Sequence, residues 1–99
     1  MINQVVLVGR CKEIQEYDEF KKNLLIEIER PFKDGNARVH DLVECLFWES
    51  VFYKDIKFYK KGDLVAIKGR LERYDSKCMV NIENISLLNK SINNISKCN

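Results

Sequence analysis

Ninety-nine residues fit one domain with one core, because chains divide only beyond roughly 250 residues. With 45% hydrophobic and 32% charged residues, the chain is too apolar for a disordered tail and too charged for a membrane span; no stretch reaches the ~18 apolar residues of a transmembrane helix. Seventeen Lys and Arg against fifteen Asp and Glu leave a charge of +2 and a pI near 8.3. That is short of the pI above ~9 of a strongly basic nucleic-acid binder, so the partner has to be read from where charges and aromatics sit.

In chain order, Asn3 to Gly9 (NQVVLVG) has the β-branched enrichment and the length of a buried first strand. A charge-mixed stretch follows. Asn23 to Arg30 then alternates, Leu24, Ile26 and Ile28 inward against Leu25, Glu27 and Glu29 outward, which is a second strand with one wet face. Pro31 cannot donate to a sheet ladder, and Lys33-Asp34-Gly35-Asn36 is a turn cluster, so a hairpin is expected there. The third strand covers about Val39 to Trp48, with Val39, Val43, Cys45 and Phe47 on one face and His40, Leu42, Glu44, Leu46 and Trp48 on the other.

From Glu49 to Tyr59 the period changes: Phe52, Ile56 and Tyr59 recur at i, i+4 and i+7, the stripe of a short helix. Lys60-Lys61 suits a helix C-terminus and Gly62 a cap. Asp63 to Tyr74 is the fourth strand, with Val65, Ile67 and Leu71 inward, Lys68, Arg70 and Tyr74 outward, and Gly69 marking a bulge or sharp coil. A turn at Asp75-Ser76-Lys77 leads into a fifth strand over about Cys78 to Leu88. Residues 1–88 therefore form the domain, and 89–99 are expected to be a loose polar tail.

Three strands, a helix and two strands, with glycines at the bends, is the order of an all-β, five-stranded Greek-key barrel with one short helix between strands 3 and 4. This is the oligonucleotide-binding (OB) fold. Closure is expected because open apolar edges invite uncontrolled pairing.

The four cysteines, Cys11, Cys45, Cys78 and Cys98, form no C-x-x-C pair, and the single histidine, His40, has no cysteine at metal-finger spacing. No metal and no cofactor are expected. With no signal segment and Cys45 inside an apolar run, the cysteines read as reduced thiols of a cytoplasmic protein.

The outward positions carry the functional signal. Trp48, Leu42 and Tyr74 share that parity, Phe32 stands at the mouth of the strand 2–3 hairpin, and Lys68, Arg70 and Arg73 are near in sequence. Aromatics interleaved with cations suit single-stranded nucleic acid, whose bases offer π-faces and whose linkages offer phosphates. Plainer readings stand beside this one. Trp48 can pack under the helix, Phe32 can cover the barrel end, Tyr74 can flank solvent, and Arg70 and Arg73 can pair with Glu72 or Glu83.

At this point the chain resembles the bacterial single-stranded DNA-binding protein family. Met1 to Arg10 (MINQVVLVGR) looks like that family's first strand, Glu44 to Trp48 (ECLFW) like its third-strand ending, and Lys60 to Leu71 (KKGDLVAIKGRL) like its most recognisable run. The resemblance covers about residues 1–88. It implies a non-enzymatic protein that coats single-stranded DNA in replication, recombination and repair, usually as a homotetramer; the related primosomal replication protein N is a dimer. Carried over by residue, it places Trp48 at a base-stacking position, Phe32 near another, Leu42 where the family often has an aromatic, and Tyr74 as an approximate match; Arg10, Lys68, Arg70 and Arg73 complete the expected single-strand-binding set from the residues themselves, as phosphate contacts. The family's glycine-rich linker and acidic tip, which recruit repair enzymes, have no counterpart in Ser96 to Asn99; the expectation is either a truncated or specialised paralogue, such as one of a phage, plasmid or other mobile element, or DNA binding without partner recruitment. The rival class is an interaction module that uses Leu42, Leu46 and Trp48 as an apolar interface. An enzyme is not expected, for lack of a nucleophile–base pair or a phosphate-cradling loop.

Overall fold

In a computed structural model that describes residues 1–34 and 37–90, without the side chains of 31–38, the first strand runs well past its expected end at Gly9. As β1 it spans Val5–Glu16. Its first half pairs antiparallel with β4 (Leu64–Tyr74), from Val5↔Gly69 to Arg10↔Leu64; its second half pairs with β2 (Lys21–Asp34), from Arg10↔Glu27 to Glu16↔Lys22. A register slip between Cys11 and Glu13 bends the strand between its two neighbours, as bulges do. Arg10 to Glu16 reads as a polar connection in the sequence because its outward side chains are charged, while Cys11 and Ile14 still turn inward against the core.

β3 (Ala37–Trp48), the helix α1 (Glu49–Ile56) and β5 (Lys77–Asn89) complete a closed barrel in the order β1-β2-β3-β5-β4. The closing contact is parallel, Cys45↔Val80 and Leu46↔Asn81. This is the Greek-key OB barrel, and it removes the open sheet edges. The strand 2–3 hairpin is where the turn cluster placed it, with Asp34 opposite Ala37; Gly35 and Asn36 lie outside the described residues. So do positions 91–99 of the expected tail, with Cys98 among them, whereas Asn89 still belongs to β5.

Leu24, Ile26, Cys45, Phe47, Val65, Ile67, Val80 and Ile82 fill the barrel, and Ile56 plugs it from α1. Cys11 and Cys45 are core residues, and burial pushes both thiols up to about 12, so at neutral pH they are protonated small hydrophobes. Gly9 and Gly69 make the close approaches that let the strands cross. A Cβ on Gly69 would stand 2.1 Å from the Asn81 carbonyl oxygen, and the β4–β5 register slips beside it.

Four expectations need correcting. Leu25 and Leu46, assigned to the wet face, are buried, as is Met79; β5 closes along β3 there, with Asn81 opposite Leu46 and Lys77 Nζ 3.3 Å from Glu44 Oε1. Leu71, expected inside, is exposed; past Gly69 the strand leaves the barrel, and its backbone is held by the Asn3 side chain, which donates to the Leu71 carbonyl at 2.8 Å and accepts from the Leu71 N–H at 3.0 Å. The helix stops at Ile56 rather than Tyr59. Gly62 is not its cap but part of the following turn, with φ 94°; its N–H donates to the Cys11 carbonyl at 2.8 Å and the Cys11 N–H to the Asp63 carbonyl at 2.8 Å, tying that turn to the bend in β1.

Candidate nucleic-acid interface

The loop between β1 and β2 is short, and one carboxylate shapes it. Asp18 Oδ1 accepts from the backbone N–H of Phe20 at 2.8 Å and of Lys21 at 2.7 Å, the local turn that aspartate favours. Those hydrogen bonds, that from Phe20 foremost, hold its carboxyl below the usual carboxylate range. The Phe20 carbonyl then accepts the Glu49 N–H at 3.0 Å, which fixes the loop against the start of α1 and beside Trp48, the last residue of β3. Next to it Lys22 is buried, its Nζ 2.6 Å from Glu16 Oε1, 4.0 Å from Glu49 Oε2 and 5.0 Å from the ring centre of Tyr53.

This arrangement lines up four aromatic rings. Tyr17 meets Tyr74 edge to face, with centroids 5.9 Å apart. Lys21 Nζ lies 5.1 Å from the Tyr74 ring centre and 4.7 Å from that of Trp48. Trp48 faces Phe20 at 6.4 Å with the planes tilted by 44°. Trp48 is 43% exposed and Phe20 60%. Two recesses flank the row. One, of about 380 Å³, is bordered by Tyr17, Tyr74, Asn23, Glu44 and Lys77; the other, of about 410 Å³, by Glu19, Phe20, Trp48, Glu49 and Ser50.

Tyr74 sits at the tip of the β4–β5 arm, where Asp75 takes φ 57° in a two-residue turn between the paired Tyr74 and Lys77. Its hydroxyl donates to Glu72 Oε1, which also accepts from Asn81 Nδ2 at 2.9 Å, while Arg70 Nε donates to Glu72 Oε2 at 2.8 Å. Burial first, and then the Glu72 carboxylate, pushes the Tyr74 hydroxyl up to about 12; the Tyr74 hydrogen bond leads in holding Glu72 below its ordinary value. Arg70 is therefore neutralised at rest.

The fold brings together only part of the set singled out in the sequence. Trp48 and Tyr74 share one cluster, and Arg70 adjoins it through Glu72. Arg73 faces the other side of the arm, with Nε donating to the Asp75 carbonyl at 3.2 Å. Lys68 lies opposite Val6 and Asn84, Leu42 opposite Glu27, and Arg10 between Glu27 and Leu64, its Nη1 donating to the Gly62 carbonyl at 2.9 Å. The Phe32 side chain is outside the described set. Tyr17, Phe20 and Lys21 were missed. The available signal was an aspartate set between two aromatics in an otherwise charged stretch, YDEF, which marks a turn that presents rings. Among the described residues no group of three or more His, Cys, Asp or Glu is placed to hold a metal, and no helix is long and apolar enough to cross a membrane.

No family model matches the chain. Among curated proteins it is 36% identical over 78 residues to single-stranded DNA-binding protein 1 of Lactococcus lactis, covering 73% of this chain and 52% of that one. It is 31% identical over 78 residues to single-stranded DNA-binding protein 3 of Listeria innocua, covering 73% and 49%. The chain thus spans about half the length of the curated relatives it matches. Among solved structures, a small single-stranded DNA binding protein from Mycoplasma pneumoniae superposes with a TM-score of 0.69 at 24% identity, covering 87% of this chain and 93% of that one. The N-terminal domain of the PriB protein from Thermoanaerobacter tencongensis, described as dimeric, does so with a TM-score of 0.70 at 21% identity, covering 89% and 98%.

Proposed function

Since the chain belongs to the single-stranded DNA-binding protein family, we propose that it binds unpaired DNA without sequence preference and shields it during replication, recombination and repair. The observation that carries this reading is the row Tyr17, Tyr74, Trp48 and Phe20 with Lys21 set among the rings. Exposed rings in series are platforms for successive bases, each contributing about 1–3 kcal/mol, and they tolerate any base because every base has a π-face. The modest charge of +2 makes stacking the larger share of affinity, and the carboxylates already facing Arg70, Lys77 and Lys22 act in the same direction. Duplex DNA, with its bases paired inside, offers the rings nothing to stack on. A mobility-shift comparison of one oligonucleotide as a single strand and as a duplex tests this: the single strand is retarded at low salt and the duplex is not. Equal retardation of both would leave only a generic charge interaction.

Self-association belongs to the same proposal. Val6 and Val8 project from the outer face of β1 at 67% and 51% exposure, opposite Lys68 and Ala66 of β4. Adjacent bare valines on a flat strand face suit burial against a second copy, and a dimer or tetramer would link several weak sites into one tight binder. Sedimentation of the wild type and Val6→Asp at micromolar concentration tests it: the wild type runs as an oligomer and the variant shifts toward monomer. A wild-type monomer would refute it.

A further inference from the structure

The cations around the aromatic row are not equivalent. Arg70 faces Glu72, Lys77 faces Glu44 and Lys22 faces Glu16. Lys21 differs: among the described residues its Nζ has no carboxylate oxygen within ion-pair distance, and it lies instead 4.7 Å from the ring centre of Trp48 and 5.1 Å from that of Tyr74. The neighbouring acid, Asp18, accepts from the backbone N–H groups of Phe20 and Lys21 and feels the Lys21 charge only from beyond ion-pair distance. The Lys21 ammonium thus occupies ring faces that stacked bases would need.

We propose that Lys21 is a place-holding cation. In the free protein its ammonium covers the facing sides of Trp48 and Tyr74; when a strand binds, it swings off the rings as bases replace it and pairs with a phosphate of the same strand. The inference rests on the proposed single-strand reading and names a positioning role within that site. The exchange is physically balanced. A cation over a ring at an exposed site contributes about 0.5–1 kcal/mol, which binding must give up, while the new phosphate contact releases counterions and weakens as salt rises. The side chain's effect on affinity therefore depends on ionic strength. At low salt the phosphate contact dominates and Lys21 favours binding. At high salt that contact fades and the lost cation–ring contact remains, so Lys21 opposes binding.

The test is the salt dependence of binding of a fluorescent oligo-dT by the wild type, Lys21→Ala, Lys21→Gln and Lys21→Arg, with thermal melts confirming that each is folded. Because the Asp18 turn uses the Lys21 backbone rather than its side chain, the turn survives all three substitutions. The slope of log affinity against log salt should become shallower by about 0.7 in Ala and Gln, one phosphate contact on a single strand. Between about 50 mM and 1 M salt this amounts to roughly an eightfold relative change, so the lines cross. The Ala and Gln variants bind about two- to fourfold more weakly than wild type at the low end and, to complete the eightfold change, about four- to twofold more tightly at the high end. Lys21→Arg keeps the wild-type slope. Lines that converge at high salt without crossing mean an ordinary phosphate contact and overturn the proposal, as do parallel lines or a uniform loss. No binding by the folded wild type at any salt overturns the single-strand reading itself, which is a distinguishable failure.

Discussion

The Tyr17 ring, in the β1–β2 loop, stands edge-on to the Tyr74 ring at the tip of the β4–β5 arm, with centroids 5.9 Å apart and planes at 77°. Fifty-seven positions separate them in the chain; Tyr17 is 38% exposed and Tyr74 half-buried. Both rings border the 380 Å³ recess between the two hairpins, so the pair ties the arm to the β1–β2 loop. A double-mutant cycle of Tyr17→Ala and Tyr74→Ala should give a stability coupling of about 0.5–1.5 kcal/mol, the ordinary worth of an edge-to-face pair beyond its burial. Additive losses in urea melts would mean that the rings do not hold the arm.

Glu72 accepts from Arg70, Tyr74 and Asn81 at once. Removing it in Glu72→Gln keeps the size but releases the Arg70 charge to a phosphate. The expected result is a salt slope for oligonucleotide binding steeper by about 0.7, one added contact on a single strand. An unchanged slope would show that Arg70 does not reach the strand.

Gly69 leaves no room for a side chain, because its Cβ would fall 2.1 Å from the Asn81 carbonyl oxygen, which is backbone and cannot swing aside. Gly69→Ala should therefore destabilise the barrel by about 1–3 kcal/mol, the usual cost of overpacking, seen as a lower midpoint in chemical denaturation. An unaffected midpoint would contradict the packing of β4 against β5.

Asp18 makes the β1–β2 loop sensitive to acid, because its carboxylate accepts the backbone N–H groups of Phe20 and Lys21. Its folded value is depressed, chiefly by the Phe20 N–H, so its contribution is fully present above the unfolded value near 3.9 and is lost as pH falls through the lower folded value. The Tyr17 and Phe20 resonances should therefore report loop disorder as pH falls below the unfolded value and through the lower folded one. Asp18→Asn, which keeps an acceptor but no titrating charge, should remove that dependence. A loop that stays ordered at the acid end in the wild type would contradict the role given to Asp18.

Much of this arrangement was legible in the sequence. Period-two alternation in Leu24 to Glu29 and the spacing of Phe52 and Ile56 pointed to the strands, the helix and the OB topology, though the stripe carried the helix on to Tyr59 where it ends at Ile56, and Trp48 stood out as an aromatic on a polar parity. What the sequence hid were consequences of curvature. Leu25 and Leu46 lie on a face that is wet in an isolated strand and buried in the folded chain, where β5 closes against β3 from far along the sequence. Leu71 keeps the inward parity of Val65 and Ile67 yet emerges into solvent, because the strand has already left the barrel. Tyr17, Phe20 and Lys21 belong to a stretch whose composition looks like a loop, and only the third dimension sets it beside Trp48 and Tyr74.

The central claim, that exposed rings stack on unpaired bases, is tested most directly by Trp48, the only tryptophan in the chain. Titrating the protein with oligo-dT at low salt should quench its emission saturably, while Phe20→Ala and Tyr74→Ala each weaken the isotherm by about 1–3 kcal/mol and remain folded. Emission that does not change with added oligonucleotide, or an isotherm indifferent to both substitutions, would contradict the account.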